Sequence, residues 1–126
     1  MLLYIYLKGG IKMNIKENIT IDDLDKLDIR VGEILSVEDV ENSKKLMKLT
    51  VDFGEFERVI LASIKGEREN PQEIVGKQAL FVVNLEKRKM AGVESHGMLF
   101  DIGYQSGIIP VLATPEKKVP NGTIAG

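Results

Sequence analysis

The stretch Leu27-Asp28-Ile29-Arg30-Val31-Gly32-Glu33-Ile34-Leu35-Ser36-Val37 decides the fold. Ile29 and Val31 alternate with polar Arg30, which is strand behaviour. The alternation then slips: Gly32 and Glu33 intervene before Ile34, Leu35 and Val37 resume it. A glycine inside a strand together with a phase change predicts a β-bulge and a strongly bent strand. Small closed barrels need such bends.

Downstream, Leu49-Thr50-Val51-Asp52-Phe53 alternates cleanly, Gly54-Glu55 makes a turn, and Phe56–Ile64 reads as the partner strand of a hairpin. Pro71-Gln72-Glu73-Ile74-Val75 opens with proline at the first-turn position it tolerates, and Gly76 suits the end of a short helix. Ala79–Val83 is a continuous apolar run, expected to be a strand buried on both faces. Met98–Ile102 is the next strand. Upstream, Thr20–Leu27 opens like a short helix, with Thr20 and Asp23 spaced as a capping box. Ile21, Leu24 and Leu27 then form a narrow apolar stripe. The order helix, three strands, short helix, two strands describes an all-β protein: a five-stranded OB-fold barrel with short helices and a C-terminal extension.

The chain has 126 residues, 17 Lys+Arg against 19 Asp+Glu, no Cys, no Trp and one His. Such a length fits one domain that buries roughly two-thirds of its unfolded surface. Without Cys there is no disulfide scaffold, thiol catalysis or Cys-ligated zinc, and one His builds no multi-His metal site. No metal and no cofactor are expected. The formal charge of −2 predicts no global attraction to nucleic acid, so any attraction has to be local.

Met1–Leu7 is apolar but far shorter than the about 20 residues of a spanning helix, and it lacks the marks of a secretory signal. Residues 1–19 are read as an N-terminal extension, with Met13 as the natural start or residues 1–12 as an ordered first strand. Residues 20–126 are read as the domain. No membrane association is expected, and the cytoplasm is the default compartment.

No catalytic constellation appears. Ser95 and His96 are neighbours that point to opposite faces of a strand, whereas a nucleophile and its base must face one reacting atom. The chain is therefore expected not to be an enzyme. Asp22, Asp23, Asp25 and Asp28 lack calcium-loop spacing and read as a solvated helix face. The informative run is residues 84–99, NLEKRKMAGVESHGML. Lys87, Arg88 and Lys89 fall between two expected strands, on a loop at the barrel rim. There they concentrate positive charge within a Debye length of about 8 Å. Asn84 and Ser95 flank them, Gly92 allows a tight turn, and His96 reads as a base or phosphate contact or as a solvent-facing strand residue. Polar groups beside a basic loop suit phosphate and single-stranded contacts. By composition alone a solvated charged turn is the favoured reading of the run.

That run, together with Leu27–Ile34 and Leu49–Gly54, closely resembles the tRNA-binding OB domain family. Its members occur at the C-terminus of methionyl-tRNA synthetases, in stand-alone beta subunits, in free-standing tRNA-binding proteins and in secretion chaperone-like proteins. The resemblance spans about Ile21 to Ile124 and includes the ending Pro115–Gly122. It implies an OB barrel that holds tRNA without reading its sequence, as a homodimer joined through the C-terminal part. Asn84, Arg88, Lys89, Met90, Gly92, Glu94, Ser95, Gly97 and Met98 match the family's long motif. The chain reads Leu61-Ala62-Ser63-Ile64 where the family usually has Ser-Gly-Ile, and Lys87 where it has proline. On this footing Lys87, Arg88 and Lys89 neutralise phosphates, while Asn84 and Ser95 hydrogen-bond sugar, phosphate or base edges. Met90 packs on a base, and Ser63 holds the third-strand position. Methionyl-tRNA synthetase is an implied partner. The apolar segment Ile108-Ile109-Pro110-Val111-Leu112 is either a dimer seam or a cover for its own barrel. The alternative function is a secretion chaperone-like dimer that binds unfolded polypeptide.

Overall fold

The computed structural model describes residues 14–126; the expectations about Met1–Leu7 and Met13 lie outside the described residues. A sheet in the order β3-β2-β1-β4-β7 curls into a nearly closed antiparallel barrel. Its strands are β1 (Ile29–Asp39), β2 (Met47–Asp52), β3 (Glu57–Ala62), β4 (Gln78–Val82) and β7 (Met98–Leu99). A separate hairpin, β5 (Arg88–Met90) with β6 (Val93–Ser95), fills the connection between β4 and β7. The all-β, OB-like barrel expected from patterning is the observed architecture.

The bend in β1 makes the barrel possible. The first part of β1 pairs with β4, from Ile29↔Val82 to Glu33↔Gln78, and from Glu33 onward it pairs with β2. The register with β2 shifts between Ile34 and Ser36, so exposed Leu35 is the extra residue of a bulge. Gly32 is required by packing. A Cβ there would lie 2.5 Å from Val51 Cγ1 and 2.7 Å from Phe53 Cε1. The C-terminal segment covers the free side of early β1, with Val31 N–H donating to the Thr123 carbonyl at 2.9 Å.

Inward-facing residues of successive strands build the core, with Ile34, Leu49, Val51, Ile60, Ala79 and Phe81 fully buried. Phe81 meets Phe53 edge-on at 5.5 Å. A 3-10 turn at Pro71–Ile74, capped by Asn70 accepting from Gln72 N–H, drives Ile74 into this core. Closure comes from side-chain and irregular bonds between β3 and the end of β6. His96 N–H donates to the Val59 carbonyl at 2.9 Å, and Leu61 N–H donates to Ser95 Oγ at 3.0 Å.

Three local expectations are corrected. The Thr20 capping box forms, but α1 is only one turn, Ile21–Leu24, and Ile21, Leu24 and Leu27 stay exposed. The last barrel strand stops at Leu99, because Ile102 pairs with Val111 in an isolated bridge instead. The cationic run is not a loop: Arg88 and Lys89 belong to β5, where they alternate sides.

Candidate nucleic-acid interface

The β5–β6 hairpin turns through Ala91 and Gly92, both left-handed at φ 50° and 80°. Positive φ at both central residues is the type I′ arrangement, whose twist matches that of the strands. The turn projects the hairpin and fixes which side chains share a face. Arg88 is opposite Ser95 and Lys89 opposite Glu94, so Arg88 and Lys89 point to opposite sides.

On one side, Arg88 and Met90 reach a depression of about 250 Å3 that Ser63 also lines. Ser63 is exposed just beyond β3. Met98 and Tyr104 supply apolar walls, and Glu67 and Asp101 supply a carboxylate corner. Burial, chiefly, and repulsion from Asp101 raise the pKa of Glu67, while Arg68 works against them. Three of the sequence candidates thus converge on one concavity offering a guanidinium, a hydroxyl and a polarisable thioether. On the other side of the hairpin Lys87 Nζ lies 3.7 Å from Glu94 Oε1. The charge of that face is partly neutralised, and both of these side chains are more than half exposed.

Asn84 lies apart from this group. Its Oδ1 accepts Asp28 N–H at 2.9 Å and its Nδ2 donates to the Lys26 carbonyl at 2.6 Å. It pins the α1–β1 junction and retains one N–H and one lone pair for solvent or a ligand. Ser95 is 1% exposed and its hydroxyl binds Leu61 N–H and the Gly97 carbonyl. The expected RNA contact of Ser95 thus falls on a buried hydroxyl that positions the hairpin against β3.

Asn84 instead borders a second depression, of about 480 Å3, that pattern reading missed. Here Arg58 lies 4.8 Å and Arg30 5.9 Å from the centre of the Phe56 ring. Arg58 donates to the Val83 carbonyl at 3.0 Å, and Arg30 is forked onto Asp28 at 2.8 and 3.1 Å. The Asp28 hydrogen bond is the leading reason that the Arg30 pKa is raised. His96 lines the same depression. Burial first, then Arg58 and Lys87, lower its pKa, and Glu94 opposes them. The spacing Phe56-x-Arg58 at the entry to β3 was the available signal.

These features sit on a chain whose residues 29–124 match the family described as "Putative tRNA binding domain". The chain belongs to this tRNA-binding domain family. It is 45% identical over 114 residues, 90% of its length, to the methionine–tRNA ligase of Archaeoglobus fulgidus. It is 41% identical over 109 residues to that of Parabacteroides distasonis. It spans only 17% and 16% of those two ligases. Among solved structures, the MetRS-related protein of Pyrococcus horikoshii superposes with a TM-score of 0.80 at 37% identity, covering 88% of this chain and all of that one. The chaperone CsaA of Bacillus anthracis gives 0.76 at 29% identity, over 87% of this chain and all of that one. The chain thus matches the whole of these two solved chains as well as a small part of the ligases. Among its described residues no helix is long and apolar enough to cross a membrane, and no group of three or more His, Asp or Glu is placed to hold a metal.

Proposed function

We propose that this chain is a non-catalytic module, residues 20–126, that captures tRNA in the cytoplasm through phosphate and shape contacts, alone or in trans beside methionyl-tRNA synthetase. The observation that carries the reading is the convergence of Ser63, Arg88 and Met90 on one depression beside a projecting cationic hairpin, in a chain of the tRNA-binding family. Arg88 neutralises a phosphate at the mouth of the depression, Ser63 hydrogen-bonds sugar or phosphate, and Met90 packs on an unstacked base. Lys87 and Lys89 add exposed charge on the other hairpin face. Asn84 contributes its remaining N–H while it holds α1. With no Trp and few aromatics, stacking is limited, which favours backbone contacts over sequence readout.

A homodimer fits this reading. Phe100, Ile102, Tyr104, Ile108, Ile109 and Val111 are each at least 42% exposed, and the Ile102–Val111 bridge joins their two segments. Only Pro110 and Leu112 of the tail segment turn inward. Two subunits on one RNA multiply weak single-site affinity. Gel shift with bulk tRNA at two salt concentrations tests the reading: salt-sensitive binding supports it, and its absence in dilute buffer refutes it.

The second reading, a chaperone-like dimer for unfolded polypeptide, draws on the likeness to CsaA and on the same exposed apolar strip. Binding of an unfolded client without binding of RNA would favour it.

A further inference from the structure

A second set of cations lies at the opposite end of β4 from the hairpin. Lys77 immediately precedes β4, and Lys117 and Lys118 lie in the C-terminal segment that returns beside it. With Gln78, Thr114 and Pro115 these lysines line a groove of about 280 Å3. Backbone and amide bonds build the groove. Gln78 Nε2 donates to the Val119 carbonyl at 2.6 Å and to Asn121 Oδ1 at 2.8 Å, while its Oε1 accepts Val119 N–H at 3.2 Å. On the other side of the lysines, Leu80 N–H donates to the Ala113 carbonyl at 3.0 Å. The segment carrying Lys117 and Lys118 is thereby fastened to β4 at both ends.

Lys26, Lys48, Lys65 and Lys87 each face a carboxylate within 4 Å. Lys77, Lys117 and Lys118 form no ion pair with any described residue. Among the described residues Lys16, Lys44, Lys45 and Lys89 are also outside any ion pair, but of the unpaired lysines only Lys77, Lys117 and Lys118 line this groove together. Glu116, the nearest carboxylate in sequence, is not part of the groove lining. Three exposed cations along one concavity add their attraction for an anion that enters it. Ammonium groups act as point charges and carry no planar code for a base edge, so the fitting ligand is a phosphate rather than a nucleobase.

We propose that the Lys77–Lys117–Lys118 groove is a second phosphate-binding site for the same RNA that the hairpin holds. The inference rests on the tRNA-binding reading above. From Lys77 to Val83, β4 with one flanking residue at each end covers about 20 Å at roughly 3.3 Å per residue, a span that a folded RNA bridges and a single nucleotide does not. The hairpin and the groove are then two ends of one track, and the acidic surface elsewhere accounts for the net charge of −2.

The test is tRNA binding by the full chain across a salt series, read by fluorescence anisotropy. Lys77→Ala/Lys117→Ala/Lys118→Ala is expected to weaken binding at low salt. It is also expected to flatten the slope of log K against log salt by about 2, three contacts at about 0.7 each. Lys77→Arg/Lys117→Arg/Lys118→Arg keeps the charge and is expected to keep the slope, which separates charge from folding. If the alanine variant retains the wild-type slope, the groove is not a phosphate site and the tRNA-binding reading stands. If the arginine variant, folded by circular dichroism, loses the slope as well, charge is not its basis and the proposal fails. If the wild-type protein binds no tRNA, both readings fall together.

Discussion

The hydroxyl of Ser95 accepts the backbone N–H of Leu61 at 3.0 Å across the seam where the barrel closes. This bond ties β6 to β3, so it holds the hairpin beside the depression that Arg88 and Ser63 both line. Ser95→Ala leaves the buried Leu61 N–H without its partner, which costs about 1–3 kcal/mol. The expected result in chemical denaturation is a lowered midpoint with an unchanged slope. A variant as stable as wild type would show that the seam closes without this bond.

Gly32 sits where β1 crosses Val51 and Phe53. Gly32→Ala places a methyl 2.5 Å from Val51 Cγ1, and overpacking of this kind costs about 1–3 kcal/mol. A thermal melt is expected to show a clear drop in Tm. An unchanged melt would mean that β1 is not held by close packing at its bend.

Much of this architecture was legible in the sequence for a simple reason: strands, turns and caps are local. The slip at Gly32 announced the bulge, Pro71 announced its 3-10 turn, and Thr20 with Asp23 announced the capping box. The inner hairpin was not legible, because Arg88-Lys89-Met90 is too short and too charged to read as a strand. Its pairing depends on the left-handed pair Ala91-Gly92, in which Ala91 disguises the turn. Site composition was legible as residue types, but facing direction was not. Ser95 and Arg88 share a hairpin face, yet only closure onto Leu61 buries one and leaves the other at the mouth of the depression. The groove of Lys77 with Lys117 and Lys118 was invisible because the residues are 40 apart in the chain.

Glu67 shares the Arg88 depression with Asp101. Its folded-state pKa is raised above the ordinary value of 4.5, so the folded protein holds this proton to higher pH than the unfolded chain. Ionised Glu67 therefore opposes folding at neutral pH, and the penalty disappears as pH falls through 4.5. Glu67→Gln is expected to be more stable than wild type at pH 7, with the difference gone below pH 4. It also removes a negative charge beside Arg88, so tRNA binding at pH 7 is expected to tighten. A stability gain that persists unchanged at low pH would contradict this account.

The exposed strip bearing Ile109 (70% exposed) and Val111 (51%) is the seam of the homodimer proposed above. Ile109→Glu/Val111→Glu would bury like charges on both sides of a twofold contact. Sedimentation is expected to show a shift from dimer to monomer with the barrel still folded. Weaker tRNA binding is expected to accompany it through lost avidity. A wild-type protein that sediments as a monomer at all concentrations would remove the seam.

The most direct measurement of the central claim is the salt dependence of tRNA affinity for wild type and for Lys87→Ala/Arg88→Ala/Lys89→Ala. The account predicts that wild type binds with a steep negative slope and that the triple variant loses about 2 of it, at about 0.7 per phosphate released, while melting as wild type does. Equal affinities and equal slopes for the two proteins would contradict the assignment of the hairpin as the grip on RNA.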